Sequence, residues 1–184
     1  LCKSFCIERY ANRGRDAAPF LMQMKDRLHR YDYICHIHSK KTKTEDHGDD
    51  WRNYLYDHLF GSEQYLKRLF SFLEFNPDVG IAMPQTYPVL ERQAVWGGNQ
   101  EGTAVLLQKI NIDAVLPKEP VFPVGNMFWA RTGAIAKMFE CGLSQTDFPP
   151  EEGQVNLTLA HQIERAWIYV AQAAGYRYQK VFNC

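Results

Sequence analysis

One stretch, Tyr31 to Lys43 (YDYICHIHSKKTK), restricts the fold more than any other part of the chain. Tyr31, Tyr33, Ile34, Cys35 and Ile37 follow one another at the density of a strand buried in a sheet. The residues after Ser39 carry too much charge to remain inside. The strand must therefore reach the surface at its C-terminal end, where it delivers His36, His38, Ser39, Lys40 and Lys41. Open α/β sheets place their chemistry at that end of their strands. These residue types suit three jobs: contacting a phosphate, holding a metal, or capping a strand.

The flanking segments predict how such a strand is housed. Cys2 to Tyr10 reads as a short strand centred on Phe5 and Ile7, followed by a turn through Asn12-Arg13-Gly14-Arg15-Asp16 in which Gly14 is free to take positive φ. Asp16 is placed to cap a helix over Ala17 to His29, with Phe20, Leu21, Met24 and Leu28 at helical spacing and Pro19 in the first turn. Strand, glycine turn, helix and strand make one parallel crossover unit. Further on, Thr42 to Asp50 is a charged loop with the length of a flap over a site. Asp49 and Asp50 open a helix carrying Trp51, Tyr54, Leu55, His58 and Leu59. Gly61 breaks it, and Ser62 caps a second helix with Tyr65, Leu66, Leu69, Phe70 and Leu73.

Val79 to Met83 is a compact apolar strand stopped by Pro84, and Gln85 to Gly102 is irregular. The remaining pattern predicts a helix over Thr103 to Ile112, a strand over Val124 to Arg131 and a helix over Thr132 to Glu140. A long helix over Val155 to Ala174, closed by Gly175, leads to a last strand over Tyr176 to Phe182. The expectation is a single α/β domain over residues 1–184, with a mainly parallel sheet flanked by helices. Because the chain opens at Leu1 inside an apolar segment, it is expected to be a trimmed piece, truncated at its N-terminal side.

Composition narrows the function. Lys and Arg number 21 and so do Asp and Glu, so the formal net charge is zero, which argues against a nucleic-acid binder working by bulk electrostatics. No run approaches the roughly 18 apolar residues of a membrane span, and no signal peptide opens the chain. Five cysteines without close pairing read as reduced thiols of a cytoplasmic protein.

Four constellations could carry chemistry. Asn12 to Asp16 sets two guanidinium groups beside a glycine turn and a helix start, a phosphate-binding combination, although a turn with surface arginines has the same sequence. His36 and His38 share one face of a strand, a spacing metal sites use; His161, Glu151 or Glu152 could supply a third ligand, and a hydrogen-bonded strand end is the plainer alternative. Gly125-Asn126 interrupts a strand where the backbone must approach something, and Trp129 offers a stacking face. Glu151 and Glu152 stand in the loop before the last helix, where a base could be presented.

Taken together these segments resemble the rhamnan synthesis protein F family of bacterial polysaccharide glycosyltransferases. The matching residues are NRGRD (Asn12 to Asp16), YDYICHIHSKK (Tyr31 to Lys41), WRNYL (Trp51 to Leu55), Gly61-Ser62, FPVGNMFWAR (Phe122 to Arg131), DFPPEEGQ (Asp147 to Gln154) and LAHQIER (Leu159 to Arg165). The resemblance implies a GT-A-like, nucleotide-sugar-binding fold. It implies a rhamnosyltransferase-like enzyme that moves a sugar from a nucleotide-diphosphate donor, such as a dTDP-rhamnose-like compound, to a cell-surface glycan or lipid-linked glycan acceptor.

By that analogy Asn12, Arg13, Gly14, Arg15, Asp16, His38, Lys40 and Lys41 would contact the nucleotide and diphosphate. Gly125, Asn126, Trp129, His161, Glu164 and Arg165 would line the sugar or acceptor, and Glu151 would be the catalytic base of an inverting transfer. Related enzymes often hold a metal on an Asp-x-Asp pair. This strand has none, so cationic side chains would take over that work, with a magnesium or manganese ion left open. The implied location is the cytoplasm, with peripheral attachment to the inner face of the cell membrane compatible. One departure stands out: Asn156-Leu157-Thr158 occupies the place where the family usually reads Asp-Gly-Thr. Two rival readings are a non-catalytic glycan- or nucleotide-binding module and a metal hydrolase built on His36, His38 and His161.

Overall fold

A computed structural model describes residues 4–39, 48–154 and 156–183. Four strands form one sheet: β1 (Tyr33–His36), β2 (Val79–Pro84), β3 (Phe128–Arg131) and β4 (Arg177–Val181), in the order β1-β3-β2-β4. The α-helices among the described residues are α1 (Ala17–Met24), α2 (Gly48–Phe60), α3 (Glu63–Phe75), α4 (Gln100–Lys109), α5 (Thr132–Ile135) and α6 (Leu159–Ala173).

The sheet is mixed, and the mainly parallel sheet expected from the sequence is corrected. β3 runs antiparallel to both of its neighbours, β1 and β2, and only β2 and β4 pair in parallel. The strands β1, β2 and β4 nevertheless point the same way. The late strand β3 enters between β1 and β2 in the opposite sense and turns two of the three pairings antiparallel. Of the first predicted strand, the described residues 4–10 form no ladder, and Phe5 and Ile7 are exposed. The crossover unit it was to begin is therefore not formed.

Both faces of the sheet are covered. Ile34, Ile81, Met83, Phe128 and Ala130 pack with α1, α4, α5 and α6 into the main core. Val79, Ala82 and Val181 pack with Tyr65, Leu69 and Leu73 of α3 on the other face. In β2 all six residues are buried, and the register shifts between Val79 and Ile81. That bulge changes the phase of the strand, so Val79 faces α3 while Ile81 faces the main core. Gly80 sits at the shift because a Cβ there would meet Tyr176 and Ala134 at 2.5 and 2.6 Å.

Local chemistry sets the helix ends. The Tyr65 N–H donates to Ser62 Oγ at 3.1 Å, the cap expected for α3. α4 lies three residues earlier than predicted and ends before Asn111, whose φ of 55° no helix continues. α1 ends at Met24 and is followed by a short 3₁₀ turn over Leu28–Arg30. α6 begins at Leu159 rather than Val155, because Leu157 has a φ of 65° and Thr158 caps the helix.

Candidate functional site

The C-terminal ends of β1, β2 and β4 and the N-terminal end of β3 meet along one edge of the sheet. Four of the segments singled out in the sequence converge on it. The turn before α1 and the acidic loop before α6 are stitched together. Arg13 pairs in a β-bridge with Pro150, and the Glu151 N–H donates to the Asn12 carbonyl at 3.0 Å. Arg13 Nη1 donates to the Phe148 carbonyl at 2.9 Å, and Arg15 Nη2 donates to the Gln154 carbonyl. Arg15 Nε lies 3.7 Å from the Glu151 carboxylate.

Gly14 and Arg15 both take positive φ, 66° and 55°. At Gly14 a Cβ would lie 2.3 Å from the Phe148 ring and 2.6 Å from Ala18, so only glycine fits between the loop and the helix. The arginines expected at a phosphate are thus engaged with backbone carbonyls of the acidic loop. They set the shape of the wall, and Arg15, with its side chain 27% exposed, keeps a face to solvent.

Asp16 was expected to cap α1. Its side chain makes no capping bond and turns instead into the site. The Asp16 carboxylate accepts from Asn126 Nδ2 at 2.5 Å and lies 3.7 Å from His36 Nε2 and 3.9 Å from His38 Nε2. His36 stacks on Phe20 with ring centroids 4.1 Å apart and is buried. Burial pushes its pKa down to about 4 against the opposing pull of the Asp16 carboxylate, so the ring is neutral at ordinary pH. His38 Nε2 is 2.8 Å from the Gly125 carbonyl, which makes it the donor tautomer at that nitrogen.

The Gly125-Asn126 turn closes the site from β3. Gly125, with a φ of 91°, packs against the Trp51 ring, leaving 2.8 Å for a Cβ. Asn126, with a φ of 54°, holds Asp16 through Nδ2 and accepts from Trp167 Nε1 at 2.8 Å through Oδ1. The Gly125 N–H donates to Glu164 Oε1 at 2.9 Å. Burial pushes the Glu164 carboxyl up to about 7 even though the neighbouring Arg165 cation and that N–H favour its ionised form.

The remaining candidates fall into other places. Trp129 lies on the opposite face of the sheet, packed edge-on against Phe60 and Phe70, and its Nε1 donates to the Leu59 carbonyl at 3.0 Å. It is not brought to the Asp16 cluster. His161 sits in the first turn of α6, where its Nδ1 is 2.7 Å from Thr158 Oγ1 in a reciprocal cap. It does not join His36 and His38, and among the described residues no group of three or more His, Cys, Asp or Glu side chains is arranged to hold a metal ion. Arg165 binds the Val95 carbonyl through Nε and Nη2 and lies over the Phe122 ring at 4.6 Å, so it braces the site from behind. Lys40 and Lys41 lie outside the described residues, as does most of the predicted flap.

Two contributors were read in the sequence only as packing residues. Trp167 was a core position of α6, yet its indole N–H fixes Asn126; the signal was present in that a buried tryptophan needs an acceptor. Trp51 was an apolar helix position, yet it forms the surface against which Gly125 is pressed.

The model of the family described as rhamnan synthesis protein F matches residues 2–176. An uncharacterized protein named WxcX from Xanthomonas campestris pv. campestris (strain B100) is 32% identical over 175 residues, covering 93% of this chain and 24% of its own length. Its counterpart in strain ATCC 33913 is 31% identical over the same span. The chain therefore corresponds to about a quarter of the length of these relatives. No solved structure matches it.

Proposed function

Because this chain belongs to the rhamnan synthesis protein F family, which links it to polysaccharide synthesis, we propose that it is a glycosyltransferase domain, rhamnosyltransferase-like, using a nucleotide-diphosphate sugar as donor. The observation that supports this most directly is the convergence of the Asn12–Asp16 turn, the His36–His38 strand end, the Gly125-Asn126 turn and the Glu151 loop on one sheet edge. The C-terminal edge of α/β strands is where nucleotides are received.

In this reading the diphosphate lies toward Arg15, the start of α1 and His38, and Lys40 and Lys41, close by in sequence, are assigned to the same ligand. The acceptor is a glycan or lipid-linked glycan hydroxyl. Its oxygen forms a bond to the anomeric carbon as the bond to the diphosphate breaks, the nucleoside diphosphate departs with the electron pair, and the hydroxyl proton passes to a carboxylate. Glu151 is assigned that role. It is largely buried and 3.7 Å from Arg15, so the base and the diphosphate-facing cation share one wall. Work at the inner face of the cell membrane fits such acceptors; among the described residues no helix is long and apolar enough to cross a membrane.

The test is release of nucleoside diphosphate from a panel of nucleotide sugars by the purified protein, with and without glycan acceptor. Glu151→Gln should retain donor binding and lose transfer by a factor of at least about 100, the low end for general-base catalysis. Unchanged turnover in that variant removes Glu151 from the mechanism. No release by wild type with any donor, while glycan still binds, removes the enzymatic reading altogether.

A further inference from the structure

A second concavity lies on the same sheet edge, beside the Asp16 cluster. It is a half-open cleft of about 240 Å³ at the C-terminal ends of the parallel strands β2 and β4, between Gln85, which follows β2, and Lys180, near the end of β4, both exposed. Thr86 and Glu91 complete its polar lining, and Phe122 and Val124 form an apolar wall. Among the described residues, no hydrogen bond or ion pair within the chain engages the side chains of Gln85, Thr86, Glu91 or Lys180, in contrast to the tightly bonded groups around Asp16.

Three features indicate what this cavity takes. Its volume is below the roughly 300 Å³ at which pockets for drug-sized ligands begin, so it suits a single ring. Its lining offers a carboxylate, an ammonium, a carboxamide and a hydroxyl against an apolar wall. That combination matches a ring with hydroxyls on its rim and a C–H face, and the Glu91 carboxylate counts against a phosphate. Val124 lines the cavity, and the next residue, Gly125, donates to Glu164 and accepts from His38. A ligand here is thus one residue along the chain from the charged cluster. Phe122 is itself backed by the Arg165 guanidinium, 4.6 Å from the centre of its ring.

We propose that this cavity is the acceptor subsite, receiving one neutral pyranose unit whose hydroxyls are bound by Glu91, Lys180, Gln85 and Thr86. The inference rests on the transferase reading and adds to it a location for the body of the acceptor sugar.

Binding of methyl pyranosides to the whole chain, followed by saturation-transfer NMR, tests it directly. Wild type should bind at least one methyl pyranoside saturably. Glu91→Gln and Thr86→Val should each weaken binding about 5- to 10-fold, and Ala94→Leu, which puts bulk into the cavity wall, should abolish it while the circular dichroism spectrum is unchanged. Equal binding by all of these variants, or no saturable binding of any pyranoside to wild type, overturns the proposal. The two readings fail separately. Ala94→Leu should keep donor-dependent nucleotide release to water and lose only transfer to the glycan. If wild type releases no nucleotide yet binds a pyranoside in a way Ala94→Leu abolishes, the cavity stands as a pyranose site while its acceptor role falls with the transferase reading.

Discussion

Two titratable groups, buried His36 and partly buried Glu164, face the same cluster with opposite consequences for stability, and separating them is the sharpest test of the site's electrostatics. Glu164 has its carboxyl pushed from 4.5 up to about 7, so the folded state binds a proton more tightly than the unfolded chain does. Its neutral form stabilises the fold below pH 4.5, and that contribution is lost as pH rises through 7. His36 is pushed from 6.5 down to about 4, so the unfolded chain binds the proton more tightly. Its neutral ring contributes stability above pH 6.5, which is lost as pH falls through 4. Each displacement, at about 1.4 kcal/mol per pH unit, corresponds to about 3 kcal/mol.

Between about pH 4.5 and 6.5 the two slopes oppose each other and nearly cancel. In urea melts followed by tryptophan fluorescence, Glu164→Gln should expose the His36 slope, losing about 3 kcal/mol relative to wild type as pH falls from 6.5 to 4. His36→Phe, which preserves the stack on Phe20, should instead gain about 3 kcal/mol relative to wild type as pH falls from 7 to 4.5. Differences between profiles remove the exposed carboxylates common to all three proteins. A Glu164→Gln profile parallel to wild type across the whole range would refute the argument, because it would mean that the carboxyl is hydrated and ordinary.

Leu157→Gly should raise stability by about 0.5–1 kcal/mol in the same melts, since relief of the left-handed backbone outweighs the lost contact with Gly98; a loss of stability would show that the side chain matters more than the backbone. Gly14→Ala should cost about 2–4 kcal/mol, through a Cβ 2.3 Å from Phe148 and an unfavourable φ, and should expose the Asn12–Asp16 turn to proteolysis; a cost below about 1 kcal/mol would show that the acidic loop yields easily.

Much of this arrangement was legible in the sequence because local signals fixed it. The Ser62 cap, the Gly175 stop and the buried strand at Tyr33–His36 each follow from a few neighbouring residues. The sheet's pairing was not legible. A strand's direction relative to a distant partner depends on which edge it finds, and Phe128–Arg131 carries no mark that it enters between β1 and β2. The failure of residues 4–10 to form a strand has the same origin, since Phe5 and Ile7 have the right residue types but no ladder partner.

In the site, His36, His38 and Asp16 were visible as types and not as a set. Asp16 looked like a helix cap because a turn acid before a helix usually is one. Only the tertiary position of Asn126 shows it facing the histidines. Trp129 misled for a related reason: alternation along β3 sends Phe128 to the cluster's face and its neighbour to the other, and the sequence does not say which face is which. The Asn156-Leu157 departure gains a physical description. Asn156 binds the Gly97 carbonyl and accepts from Asn99, so its side chain serves the loop, while leucine stands where the backbone asks for glycine.

The insertion of β3 also has a consequence for how the chain reaches its fold. Among the described residues β1 is paired only with β3, with His36 opposite Phe128 and Tyr33 opposite Arg131. The strand that carries both histidines therefore emerges from the ribosome about 90 residues ahead of its hydrogen-bonding partner, a delay of several seconds at typical synthesis rates. During that interval its backbone donors and acceptors have no ladder, and Ile34 and Cys35 have no cover. Contacts so distant in sequence slow folding and leave such a segment open to wrong partners. Assembly of the cluster is correspondingly a late event, completed only when Asn126 and Trp167 have both been made.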